Sequence, residues 1–451
     1  MAVITASNNG SLKEIMDQSL VDLKAEAKYL TSKLGNGSNL NMIMANNRGF
    51  RIALDYTRNN TLGYMDPAGG NLTTTLAPAL DNMTANLQYV QFGQEITNLQ
   101  IANSAAGMHV GPTAKALAAR KLLQRRAEME EFYFCRGNGY QDLAIVYGTQ
   151  DASCTNITTG GTGVIVTCPG TTDGLGTYLL GVGQIVRIYD ATRATLKAYG
   201  PITAKTSNTT FTMTTTYVDN SGTTDIISTD LVLPQSDATT PTTAGVKGLP
   251  YLVKTSGSYF DKTLSSTTAL KATIDSTTTT FTRTAMEALY RNSQVRQGKN
   301  PNQRNVCSLA QLSNYYVQFY AQNTAQVHVV GGERPKVDVG AAGSMDDYTF
   351  WGQPIDAYPF IHPQNWWMLD YSTFDRLTLK QAGAMLVPAG QFVQKISGGA
   401  YANAQQSWDD DYLEYLSAQP HKNAGFTALS FSNLPGLLVN SPYTGSADLV
   451  P

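Results

Sequence analysis

The stretch Pro112–Phe134, PTAKALAARKLLQRRAEMEEFYF, followed by Cys135-Arg136-Gly137-Asn138-Gly139, reads as one long helix. Proline suits a first helical turn. Leu122, Met129, Phe132 and Tyr133 form its apolar face, and Asn138-Gly139 stops it. Its charges run against the helix dipole, which favours acids first and bases last. Lys115, Arg120, Lys121, Arg125 and Arg126 fill the N-terminal half, whereas Glu128, Glu130 and Glu131 fill the C-terminal half. A helix with that conflict is expected to use its charges on groups outside itself, because exposed pairs within one helix contribute little. Arg125, Arg126, Glu128 and Glu131 are therefore candidate residues for contacts between subunits.

Upstream, Ser11-Leu12-Lys13-Glu14 has the form of a capping box. Met16, Leu20, Leu23, Ala27, Leu30 and Leu34 then alternate spacings of four and three, a narrow apolar stripe on a helix that Gly35 would end. The stripe must bury against its own domain or against another subunit, and Leu23 and Leu30 join the interface candidates on the second reading. Residues 35–47 read as a polar linker and Phe50 to Gly63 as a short element. Gly63 to Ala85 carries Asp66-Pro67, Gly69-Gly70 and Ala77-Pro78, and reads as an irregular loop. Leu87 to Ile96 alternates as a strand does. The region from 60 to 108 is thus expected to be an extended two-stranded projection, marginal alone and in need of a supporting surface.

Downstream, roughly a quarter of residues 149–247 are threonine, which favours strands over helices. Apolar alternations at Gly163–Val166, Gln184–Tyr189 and Thr210–Met213, separated by turn signals, predict an all-β module of about seven short strands. Beyond it the chain is mixed. Thr282 to Gln297 is a predicted helix and Asn305-Val306-Cys307 a strand. Ser308 caps a helix with Leu309, Leu312, Tyr316 and Phe319 on one face. Residues 349–379 read as strands and tight turns, and the tail beyond Ala400 as strands that rejoin an earlier sheet. The fold class is α+β.

Motifs of chemistry are not found. His109, His328, His362 and His421 form no metal-binding spacing, and the expected metal and cofactor sets are empty. Cys135, Cys154, Cys168 and Cys307 match no zinc module and read as buried free thiols. Gly174-Leu175-Gly176 and Gly181-Val182-Gly183 are turn glycines, not a dinucleotide fingerprint. Asp346-Asp347 and Asp409-Asp410-Asp411 read as solvated acidic loops. The bases Lys299, Arg304, Arg334 and Lys336 are too dispersed for sequence readout of nucleic acid. Net charge is −2, and 15% of residues are charged against about 25% in a typical domain. A polar but weakly charged surface suits extensive interfaces, since burying a neutral amide costs less than burying a charge. No secretory leader and no membrane span are read, and no enzyme is expected.

The order of parts resembles the major capsid proteins of tailed bacteriophages, the Hong Kong 97-type fold. Gly248-Leu249-Pro250-Tyr251-Leu252 resembles the family's local Gly-Leu segment. Trp351-Gly352-Gln353-Pro354-Ile355 resembles its Gly-x-Pro-Val turn, with Trp366–Asp370 where a strand is usual. The resemblance implies an N-terminal arm at 1–49, an E-loop at 50–108, and a peripheral domain with the spine helix at 109–148. It further implies an inserted β domain at 149–247, peripheral domain again at 248–280, an axial domain at 281–400, and C-terminal strands at 401–451. The implied function is self-assembly into hexamers and pentamers of an icosahedral head, made in the host cytoplasm and located in the virion. That head encloses double-stranded DNA without sequence recognition; the implied partners are other copies of the chain and scaffolding, portal and decoration proteins. A tail or fibre adhesin binding glycans through the β module, and an encapsulin-like cargo shell, are the alternatives.

Overall fold

A computed structural model describes residues 30–34, 42–45, 49–55, 80–97, 114–140, 142–145, 161–168, 175–217, 226–227, 229–235, 245–278, 282–297, 302–315, 349–350, 353–378 and 404–426. It is an α+β protein whose chain divides into two compact units. One comprises Met1–Lys33, Leu87–Phe132 and Leu377–Leu413, and the other Leu34–Asn86, Tyr133–Arg376 and Glu414–Pro451.

In the first unit, strand Gln88–Thr97 pairs antiparallel with the first part of strand Ala404–Ser417, from Gln88↔Leu413 to Thr97↔Ala404. This corrects the expected projection: residues 88–97 pair with a segment some three hundred residues away, roughly the non-local pairing that no short-range pattern announces. It also corrects the reading of Asp409–Asp411 as a loop. They lie mid-strand opposite Phe92, Gln91 and Val90, so no acid stands directly across from an acid. The helix was expected from Pro112 and is described as Ala114–Arg136. Of the amphipathic stripe, only Leu30 to Leu34 lie within the described residues, where Leu30–Lys33 forms a single 3-10 turn.

In the second unit, strands Met42–Ala45, Gly49–Asp55 and Leu80–Asn86 form a three-stranded antiparallel sheet. Two of its strands were read as linker and loop. In each, a short apolar pattern (Met42-Ile43-Met44; Met83 and Ala85) was outweighed by surrounding Asn, Asp and Gly. Ile52, Leu54, Met83 and Ala85 are its buried residues, with the period of two that a half-buried sheet requires.

A six-stranded sheet runs in the order Thr273–Asp275, Ala424–Phe426, Trp366–Asp370, Gln303–Cys307, Gln353–Ala357, Thr349–Phe350. Trp366–Asp370 is buried at every position, as an interior strand covered on both faces must be. Trp366 and Met368 pack with Met286 and Leu289 of helix Arg283–Gln297 and with Leu312 and Tyr315 of helix Leu309–Tyr315. Ser308 begins the latter helix as expected, its hydroxyl accepting from the Gln311 N–H at 3.2 Å. The tail strand Ala424–Phe426 rejoins this sheet between residues 273–275 and 366–370.

The Thr-rich region forms an antiparallel sheet in the order Ala144–Ile145, Leu231–Pro234, Ile185–Tyr189, Leu196–Lys205, Thr210–Tyr217, Gly161–Thr167. Val186, Ile188, Ala198, Ile202, Phe211 and Met213 are its core. Among the described residues the sheet has six strands, and its first, 144–145, lies before the expected boundary at 149. Asp230, fully buried, accepts from the Lys197 ammonium at 2.9 Å and the Ile227 N–H at 2.7 Å.

The module leaves and returns at one place. Gly137 O accepts from the Gly248 N–H at 2.7 Å, Val246 O from the Gly139 N–H at 3.3 Å, and Gly139 O from the Gly245 N–H at 3.1 Å. A β-carbon on Gly248 would lie 2.1 Å from Tyr133 O, and one on Gly137 would lie 2.3 Å from the same oxygen. Only glycine lets the two backbones approach so closely. Gly248→Ala should therefore lower the unfolding free energy by roughly 3 kcal/mol or more, read by chemical denaturation; a loss indistinguishable from zero would mean that the crossing is not as tight as described.

Candidate functional site

The charged face of the long helix holds the sequence-selected residues. Within the first unit, Arg125 Nη1 donates to Glu128 Oε2 at 2.8 Å, one turn on, with side chains 32% and 16% exposed. Arg126 Nε donates to Glu130 Oε1 at 2.7 Å, and both side chains are buried. Glu131 is 1% exposed. Its carboxylate accepts from the N–H groups of Leu30 at 2.8 Å and Thr31 at 2.9 Å. Those N–H groups open the 3-10 turn Leu30–Lys33 and have no partner within it, so the carboxylate supplies charge-assisted acceptors. Leu30 is buried beside it.

The reversed charge order of the helix thus has a partner outside the helix: Glu131 grips a segment a hundred residues earlier. Arg126 and Glu131 have partners within the chain itself, and Leu30 is brought to Glu131. Leu23 lies outside the described residues. The sequence singled out Glu131 for its charge but carried no signal for its partner, which is a pair of backbone groups. Glu131→Ala would leave one buried and one part-buried N–H group without an acceptor. It should cost about 2–4 kcal/mol in chemical denaturation, whereas Glu131→Gln, which keeps one acceptor, should cost less.

In the second unit, the helix end is fixed by aromatic and cationic contacts. Phe134 meets Phe374 edge-to-face at 5.7 Å and Tyr415 at 5.0 Å between ring centroids. Arg136 Nε donates to Phe360 O at 2.6 Å, a cation at the negative end of the helix. Beside the module's neck lies a buried ion pair that no sequence motif marked. Glu414 is fully buried and accepts from the Lys247 N–H at 2.6 Å, the Lys247 ammonium at 2.9 Å and the Tyr415 N–H at 3.2 Å. Burial pushes the Glu414 carboxyl up to about 7 despite Lys247.

His362 is held neutral, down to about 3, by burial and by Arg136, and its Nδ1 accepts from the Gln364 N–H at 3.2 Å. Cys135, Cys168 and Cys307 are buried free thiols, and burial pushes Cys307 up. Cys154, His109, His328 and Asp346-Asp347 lie outside the described residues. Among the described residues, no group of three His, Cys, Asp or Glu could hold a metal ion. Among them too, no helix is long and apolar enough to cross a membrane.

A folded carboxyl that titrates above its unfolded value binds its proton more tightly in the folded state. Glu414's contribution to stability is therefore complete below the ordinary carboxylate range and lost as pH rises through about 7. Unfolding free energy should fall between about pH 5 and about pH 8, and Glu414→Gln should remove that part of the slope. At about pH 8, Glu414→Gln should cost about 2–3 kcal/mol by leaving the part-buried Lys247 ammonium without its carboxylate, and adding Lys247→Met should restore much of it.

No protein-family model matches the chain, and no curated protein matches it. Solved structures do. The capsid asymmetric unit of cyanophage A-1(L) is similar at 10% identity and a TM-score of 0.45, over 92% of this chain and 97% of that one. The capsid of an empty GTA particle is similar at 9% identity and a TM-score of 0.48, over 94% and 98%. The procapsid of satellite phage P4 with its size determination protein is similar at 7% identity and a TM-score of 0.37, over 94% and 99%. All three are capsid structures.

Proposed function

We propose that this chain is the major capsid protein of a tailed bacteriophage, a structural subunit that self-assembles into the head around double-stranded DNA. The observation that carries the reading is the hold of Glu131 on Leu30 and Thr31. It ties an N-terminal segment by its backbone to the last third of a long helix. Leu23, earlier in the sequence, is a proposed contact with another copy. On this reading 1–49 is the arm, 50–108 the E-loop, 109–148 and 248–280 the peripheral domain with its spine helix, and 281–400 the axial domain. Residues 149–247 are an inserted domain and 401–451 the returning strands. The weak net charge suits a shell that encloses DNA without gripping it, because each phosphate neutralised would add a counterion-release term to binding.

Arg125 and Glu128 are the proposed contacts with a neighbouring copy, being the part-exposed charges of the helix face. Arg126, Glu131 and Leu30 act on that interface by fixing the helix and the arm against each other. Electron microscopy of the overexpressed chain should show closed particles of pentamers and hexamers; a monodisperse monomer under all assembly conditions would overturn the reading. Arg125→Glu should reduce particle yield at least about tenfold while moving the unfolding midpoint of the free subunit little, since an exposed pair contributes about 1 kcal/mol or less. Unchanged yield would remove Arg125 from the interface.

A further inference from the structure

The buried carboxylate of Glu414 stands at one end of a continuous line of contacts. Lys247, its partner, lies at the module's neck, with its ammonium 5.3 Å from the Phe260 ring centroid and 5.6 Å from that of Tyr251. Tyr251 Oη accepts from the Phe260 N–H at 2.8 Å. Phe260 has φ of 55°, a conformation that a bulky side chain adopts only when its surroundings impose it. It forms the turn between strands Ser258–Tyr259 and Lys262–Thr263. The next two residues grip the three-stranded sheet. Asp261 Oδ1 accepts from the Thr84 N–H at 3.1 Å, and Lys262 Nζ donates to Asp81 Oδ1 at 2.7 Å.

We propose that Glu414 and Lys247 form a proton-sensitive latch on the sheet of residues 42–86. Ionised Glu414 holds Lys247 under Phe260 and Tyr251, and so keeps the strained turn in the shape that presents Asp261 and Lys262 to strand Leu80–Asn86. Protonated Glu414 frees Lys247, the turn relaxes, and the hold on Thr84 and Asp81 weakens.

The charged and titratable groups around the pair fit this. Glu414 titrates at about 7, within reach of modest pH changes. Lys254, whose ammonium lies 3.7 Å from the Tyr251 ring centroid, is pushed down to about 8 by burial and by Lys247. Raising pH therefore ionises Glu414 and then discharges the cation that repels Lys247, and both steps strengthen the latch. The Tyr251 hydroxyl is pushed up by burial and by Glu414 and Asp261, and stays protonated throughout. Tyr259, also pushed up by burial, donates to Ser417 O at 2.7 Å. Since acid favours the folded state through this same carboxyl, release is local and is not unfolding.

Amide hydrogen exchange of the full-length chain, corrected for intrinsic rates, tests the proposal. Because it reads the free subunit, its outcome is independent of whether particles form. Protection of the Thr84 amide should fall about tenfold between about pH 8 and about pH 6, while Ile188 and Phe211 in the module sheet keep theirs. Glu414→Gln should show the low value at both pH values. Should that variant not fold, Asp261→Ala cuts the line at its far end and should abolish the pH dependence at Thr84. A flat wild-type profile, an equal loss at Ile188 and Phe211, or a pH dependence that survives Asp261→Ala overturns the latch.

Discussion

Main chain meets main chain closely at Gly137 and Gly248, and much else depends on it. The long helix ends there, the β module departs and returns there, and Lys247 is delivered from there to Glu414. Glycine is needed because any β-carbon would collide with the carbonyl oxygen of Tyr133. The crossing also satisfies backbone groups that a helix end otherwise leaves bare, since Gly137 donates to Tyr133 O and accepts from Gly248. A constraint made of main chain fixes direction as well as distance. It sets where the helix stops, which way the module faces, and how residues 249–252 begin the next helical turn.

What the sequence revealed and what it hid follow one division. Elements whose cause is local were legible: the long helix, the Ser308 cap, and the alternation at Ile185–Tyr189. Elements whose cause is a distant partner were not. Leu80–Asn86 is a strand because Gly49–Asp55 lies beside it, although its own Asp and Asn residues argue for a loop. Residues 88–97 were recognised as a strand, but their partner at 404–413 was not. The same holds for the site. Glu131 stood out by charge, yet its partners are backbone N–H groups, which every residue but proline carries. Glu414 stood out not at all, because burial rather than motif gives it its character.

A chain with few charges still places several of them inside. Arg126–Glu130, Lys197–Asp230 and Lys247–Glu414 are ion pairs with at least one carboxylate almost wholly buried. Such pairs add little net stability, because desolvation cancels most of the attraction. Their effect is geometric. Lys197–Asp230 joins two segments of the module, and Lys247–Glu414 ties the neck to the end of strand Ala404–Ser417. A weakly charged chain thus keeps charged joints between its segments.

The neck at Gly137 and Gly248 also has an evolutionary consequence. Two chain ends that lie side by side define a socket. Whatever is joined to them need only bring its own ends close together, and domains commonly do. The β module can therefore be shortened, enlarged or exchanged for an unrelated fold without moving the helix before it or the lobe after it. The same socket is a natural place to graft a foreign protein, which would be carried once per chain.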